Sequence, residues 1–287
     1  MAEQMKYITE LLSTGTGTEG SLLIVKKIHD TLIREVLKKL IPRTEAAFVV
    51  GPEAIPGSSY DVDLETPNTQ AVNVIAEGAS IAVDQQGYST VNVKPVKYGV
   101  ALRITREMLE DAKWNLLDRN LEITARRLAE NENKLVLLQL DTAGNTVAGG
   151  VAITVANITR AMQYLEDSDY TPTTLAVGNE VLNDLRNIDT FVEYMKVGNS
   201  EMINKGFLGN IYGMNVVRFS TNAAPSTTYA KYAYVFDKEQ AYCIVEKRPM
   251  MIEKFDIPEA DMSAASVTQR IAVKALRTSA ISNITTS

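Results

Sequence analysis

From Val25 to Leu40 apolar residues return every third or fourth position, at Val25, Ile28, Leu32, Val36 and Leu40, and the run stops at Pro42. This is the spacing of one buried helical stripe, with Ser21 placed to cap it. Between 44 and 88 the pattern breaks into short pieces such as YDVDLE and AVNVIA, punctuated by Gly51-Pro52, Pro56-Gly57, Pro67-Asn68, Gly78 and Gly87. A clear alternation follows. Val91 and Val93 occupy odd positions; after Lys94-Pro95 the apolar set moves to even positions, at Val96, Tyr98, Val100, Leu102 and Ile104. A change of parity across a proline predicts a bulge or bend in a long edge strand. Thr105 is placed to cap a helical region that reaches Leu140 without Pro or Gly, its apolar stripe at Leu117, Leu121, Ala125, Leu128 and Leu135.

Gly144 to Gly150 reads as a loop, and residues 155–245 as mixed α/β. ITRAMQYLEDS predicts a helix, TTLAVG a buried strand, and NEVLNDLRNID a helix capped by Asn179. GFLGNIYGMNVVRFS predicts a turn into a strand; YAYVFD and AYCIVEK predict further strands, Cys243 being a small core residue. In SVTQRIAVKALRTSAISNI, Val267, Ile271, Val273, Ala275 and Ile281 hold odd positions, the mark of one long closing strand with Arg270 and Lys274 on its polar face. The class is α+β.

Chemistry-bearing motifs are few. Gly15-Thr16-Gly17-Thr18-Glu19-Gly20 has the glycine spacing of a dinucleotide turn. Such a turn needs a buried strand before it and a second strand ending in a carboxylate about 20 residues later. MKYITELLST and RTEAAFVVGPEAIPG supply neither, so a nucleotide-binding enzyme is only a distant alternative and the glycines read as a hinge. One Cys (Cys243) and one His (His29, on the polar side of its helix) build neither an internal disulfide nor an ordinary zinc site. No catalytic, cofactor-binding or metal residue is expected. No apolar run of 18 residues and no basic-then-apolar leader occur, so the expectation is an intracellular product without a membrane partner; the sequons at Asn157 and Asn283 read as accidental.

Charge changes the picture. The net charge is −6, and Thr44–Val93 contains no Lys or Arg but Glu45, Glu53, Asp61, Asp63, Glu65, Glu77 and Asp84. This window carries more than the whole excess. It reads either as a solvated acidic loop or as an arm meant for a basic partner surface. Ordering about 40 residues costs on the order of 40–80 kcal/mol. At about 25 cal/mol per Å² that needs roughly 2,000 Å² of apolar burial, the scale of an obligate interface between copies. The expectation is a ribbon held by sister molecules.

In this order and spacing, VNVKPVKYGVALRITREMLEDA, LLDRNLEITARRLAENENKLVL, KGFLGNIYGMNVVRFS and FDKEQAYCIVEKRPMMIEKF resemble a known pattern. It is that of the major capsid protein of tailed viruses, the Hong Kong 97-type capsid fold, shared with encapsulin shells. The resemblance covers nearly the whole chain. It implies an N-terminal arm and first helix (1–43), an extended hairpin loop with a peripheral-domain strand (44–104), a spine helix (105–150), an axial domain (151–245) and a return to the peripheral domain with a long terminal strand (246–287). It further implies self-assembly into pentamers and hexamers of an icosahedral shell around double-stranded DNA. Contact with that DNA is weak and non-specific, because the chain outside the acidic window is nearly neutral. Portal, decoration and scaffolding proteins are implied partners, with residence in the host cytoplasm before assembly and in the virion capsid after it. Asp61, Asp63, Glu65, Glu77 and Asp84 are then the contacts of the loop with a neighbour, and Arg119, Arg126, Arg127, Arg270 and Lys274 the candidate partner face. The tip has no Lys, Lys94 and Lys97 standing at the base, so the Lys–Asn weld of some members is not expected. About 20 residues precede the first helix, so a scaffold is separate, dispensable or already removed. A compartment shell that packages a cargo enzyme through the first helix is the alternative.

Overall fold

A computed structural model describes residues 43–55, 57–66, 74, 75, 77, 78, 80, 87–111, 116–188, 210–219 and 224–286. The helix expected at 21–40 lies outside them, as does Asp84. Three sheets form. The first has the order β1 (Phe48–Val50), β10 (Tyr242–Ile257), β11 (Met262–Ala275), β4 (Val96–Thr105). The second runs β5 (Asn145–Gly150), β12 (Ile281–Thr286), β9 (Tyr232–Phe236), β6 (Thr174–Val177), β8 (Met214–Arg218), β7 (Asn210–Ile211). The third is the hairpin β2 (Tyr60–Glu65) with β3 (Tyr88–Val93). The helices are α1 (Arg106–Asp111), α2 (Leu116–Leu140), α3 (Val155–Glu166) and α4 (Asn179–Asn187).

The layers follow from which side of each strand is apolar. α3 and α4 bury Ile158, Leu165, Val181 and Leu185 on one face of the six-stranded sheet, against Leu175, Val177, Val235 and Ile284. The other face presents Ala176, Tyr234, Phe236 and Ile281 to a second core shared with Val136, Leu137 and Leu140 of α2 and with Tyr242, Ile244, Ile271 and Val273 of the four-stranded sheet. β9 is thus buried on both sides, Ala233 and Val235 one way and Tyr234 and Phe236 the other. That is why it reads as an unbroken apolar run.

The hairpin corrects the expectation of a ribbon held only by sister molecules. Its base packs on its own chain: Val62 and Val93, with Tyr60, Leu64 and Val91, cover Cys243 and Val245 on the outer face of the four-stranded sheet. Val62 and Val93 are buried, and each contributes about 1.5–3 kcal/mol. Arg277 Nη2 donates to the Glu65 carbonyl (2.8 Å), and the Lys247 ammonium donates to the Gly57 carbonyl.

The parity change at Pro95 is not a bend in one strand. β3 directs Val91 and Val93 down onto the sheet, while β4 joins that sheet at its edge and turns Tyr98 toward the shared core. The closing strand is likewise two strands. β11 ends at Ala275, Leu276 N–H donates to the Ala241 carbonyl (2.9 Å), and β12 enters the six-stranded sheet beside β5. Both halves feed the same core with Ile271, Val273 and Ile281, so the alternation runs on across the break. Residues 145–150 form strand β5 rather than a loop, paired in parallel with β12. Thr105 caps as expected, its hydroxyl accepting from Met108 N–H (3.3 Å). The cap of α4 is Gly178, not Asn179. A Cβ at 178 would stand 2.3 Å from the Ala230 carbonyl oxygen, a space only glycine leaves.

Candidate inter-subunit interface

In β2 the apolar and acidic residues alternate, so packing Val62 and Leu64 inward turns Asp61, Asp63 and Glu65 outward, and all three are exposed. Register places Asn92, Thr90 and Tyr88 opposite them on β3. Asn92 Nδ2 donates to Asp61, and Thr90 Oγ1 donates to Asp63 Oδ1 (3.0 Å). These bonds orient the carboxylates without neutralising them. Glu77 is exposed.

Glu45, counted with the acidic window, has another role. It is 8% exposed and accepts from Thr174 Oγ1 (2.8 Å) and Asn215 Nδ2 (3.1 Å), across the seam between β6 and β8.

The candidate cations disperse. Arg126 Nε pairs with Glu130 (2.9 Å) one turn along α2, and Arg127 is exposed. Arg119 lies in α2, its side chain outside the described residues. Arg270 Nη2 donates to the Pro95 carbonyl (3.3 Å). Lys274 stands opposite Cys243, on the sheet face that its own hairpin covers.

Two polar junctions went unread in the sequence. Arg43 bridges Glu132 of α2 (2.7 Å from Nε, 3.1 Å from Nη2) and Glu246 of β10 (3.1 Å from Nη1). Glu132 is 1% exposed. Burial disfavours charge on Arg43, but the bonds and charges of the two carboxylates outweigh it and raise its pKa. Glu132 is shifted above the usual carboxylate range, because burial exceeds the help from Arg43 and Glu246 adds like charge. Arg43, Glu45, buried Ala46, and the Ala47 N–H bond to the Tyr242 carbonyl (2.9 Å) form a strap tying α2 and both large sheets together. The second junction is Asp141, just past α2, which accepts from Tyr229 (3.2 Å), Tyr234 (3.4 Å) and Asn283 (3.3 Å). Burial, then the Asp141 charge, pushes the Tyr229 hydroxyl up to about 12. The partners of these junctions lie from 88 to 203 residues apart, so no local pattern announces them. Among the described residues no three His, Cys, Asp or Glu gather as metal ligands would, and no helix is long and apolar enough to cross a membrane.

This arrangement overlays on known capsid shells. The mature capsid of bacteriophage PhiM1 matches with a TM-score of 0.65 at 10% identity, over 83% of this chain and 85% of that one. The structure from Mycobacterium phage Che8 matches at 0.65 and 14%, over 79% and 84%. A virus-like particle from Pyrococcus furiosus matches at 0.57 and 14%, over 91% and 99%. The fold is therefore the Hong Kong 97-type fold of capsid shell subunits. The profile of the phage capsid protein family matches residues 87–281, and the chain belongs to that family. No curated protein matches it. It is a structural subunit of a bacteriophage capsid shell, and its place is the virion capsid.

Proposed function

We propose that copies of this chain join as pentamers and hexamers into an icosahedral shell around double-stranded DNA. In this reading the six-stranded sheet with α3 and α4 is the axial domain. The four-stranded sheet with α2 is the peripheral domain, and the hairpin reaches over a neighbouring copy. One observation carries the reading. The hairpin's inner face is satisfied by its own chain, while its outer face presents three carboxylates with no cation against them among the described residues. A charged, ordered ridge of this kind suits specificity and register between subunits more than raw stability. Contact with DNA is weak and independent of sequence. Portal and decoration proteins are separate chains, a scaffold is separate, dispensable or already removed, and the subunit resides in the host cytoplasm until it assembles.

Electron microscopy of the purified product, paired with nuclease treatment of lysates from infected cells, tests this. Closed shells that shield double-stranded DNA from the nuclease are expected. A small soluble oligomer without shells would refute the reading. Changing Asp61, Asp63 and Glu65 to Lys is expected to lower particle yield while leaving the circular dichroism of the subunit unchanged. An unaltered yield would remove the hairpin's outer face from the interface.

A further inference from the structure

The four-stranded sheet carries a row of like charge. Lys97 stands opposite Arg270, and Arg270 opposite Arg248, so three cations lie side by side across β4, β11 and β10. Strands are spaced about 4.8 Å apart, and like charges directly opposite one another repel. No carboxylate among the described residues offsets this. Arg270 donates to the Pro95 carbonyl and Arg248 Nη2 to Thr268 Oγ1 (3.0 Å), both uncharged acceptors. Arg248 Nε is buried without a partner, and Lys97 is exposed. Among the described residues none of the three pairs with a carboxylate.

The row lies on the outer face of the sheet, the side on which Ala272 packs beneath the hairpin. Beside it on β4 Gly99 is exposed. Gly99 faces Thr268, and a Cβ there would stand 2.9 Å from the threonine methyl.

We propose that Lys97, Arg270 and Arg248 receive the Asp61–Asp63–Glu65 ladder of a second copy of the chain. This rests on the shell reading above and names the surface that the hairpin meets. A chain cannot satisfy its own row with its own ladder, because those carboxylates point away from the sheet that Val62 and Leu64 face. The dimensions agree. The ladder spans about 13 Å in two steps of two residues, the row about 10 Å, and long cationic side chains bridge the difference. The strand therefore lies along the row, nearly at right angles to β4, β11 and β10. Ladder and row occupy different patches, so the contact is head-to-tail, the kind that generates rings when its rotation closes.

The test is charge reversal in the full chain. Changing both Lys97 and Arg270 to Glu is expected to reduce particle yield at least about tenfold. Adding Asp61→Lys and Asp63→Lys to the same chain is expected to restore most of it, because every copy then meets its neighbour with both signs exchanged. Should the double variant fail to fold by circular dichroism, Lys97→Glu alone, at an exposed site, carries the test with Asp63→Lys as its complement. Yield unchanged by reversal, or a four-site variant no better than the two-site one, overturns the proposal. So do normal particles that no longer retain DNA, which would assign the row to phosphate instead. If the unaltered chain forms no shells, it is the functional reading that fails.

Discussion

Replacing Arg43 by Ala tests whether the strap holds the two large sheets and α2 together. The substitution leaves Glu132, 1% exposed, and Glu246, with its side chain 13% exposed, facing each other without a cation. Removing one partner from a buried ion pair costs about 3–5 kcal/mol. Arg43 itself is 22% exposed, so water screens part of this and the lower end, about 3 kcal/mol, applies. For a chain somewhat longer than 250 residues that corresponds to a fall of roughly 6–12 °C in Tm. The assay is thermal or urea unfolding of unassembled subunits followed by circular dichroism. The sign of the pH dependence follows from Glu132. Its folded-state pKa already lies above the ordinary 4.5 because of burial, and losing Arg43 raises it further. A raised carboxyl favours the fold when protonated and disfavours it when ionised. The deficit of the variant is therefore small below about pH 4.5 and grows as pH rises through the shifted value. A Tm within about 2 °C of the unaltered protein at neutral pH, or a deficit that deepens on acidification, would refute the reasoning.

Gly178→Ala forces a methyl against the backbone carbonyls of Tyr229 and Ala230, and is expected to destabilise by about 1–3 kcal/mol or more in urea unfolding. Cys243 is fully buried, and burial pushes its thiol up to about 11, so folded subunits at pH 8 are expected to react with a thiol reagent only at the rate of unfolding. Because that pKa is raised, the thiol's contribution to stability is complete below the ordinary 9.0 and is lost as pH climbs through about 11, a decline that Cys243→Ala should lessen in alkaline melts. Val93→Ala opens the contact between hairpin and sheet. It is expected to expose Lys247 and the hairpin base to limited proteolysis before the six-stranded sheet is cut.

Most elements were legible along the chain because their signal is local. The β9 run, the helices α3 and α4, the turn leading into β8 and the Thr105 cap each depend on residues a few positions apart. Two of the misreadings share one cause. At Pro95 and again at Leu276 the chain leaves one sheet for another, yet a strand's alternation records only which side is buried and not which neighbour it pairs with. Since both sheets feed a common core, the pattern crossing 276 looked continuous. The acidic window was equally ambiguous. The same residue type serves as an exposed ladder at Asp61 and Asp63 and as a buried acceptor at Glu45, and only the donors on Thr174 and Asn215 separate the two roles.

The sequence alone determined most of the order of elements and the acidic character of the hairpin, because periodicity and charge are properties of adjacent residues, and the order of its motifs carried the resemblance to capsid shells. Tertiary structure decided that the hairpin rests on its own sheet, that Arg43 joins Glu132 and Glu246, and that Lys97, Arg270 and Arg248 share a row. Those facts depend on strand register and on contacts spanning from 22 to 203 residues, which exist only once the loops between them have closed.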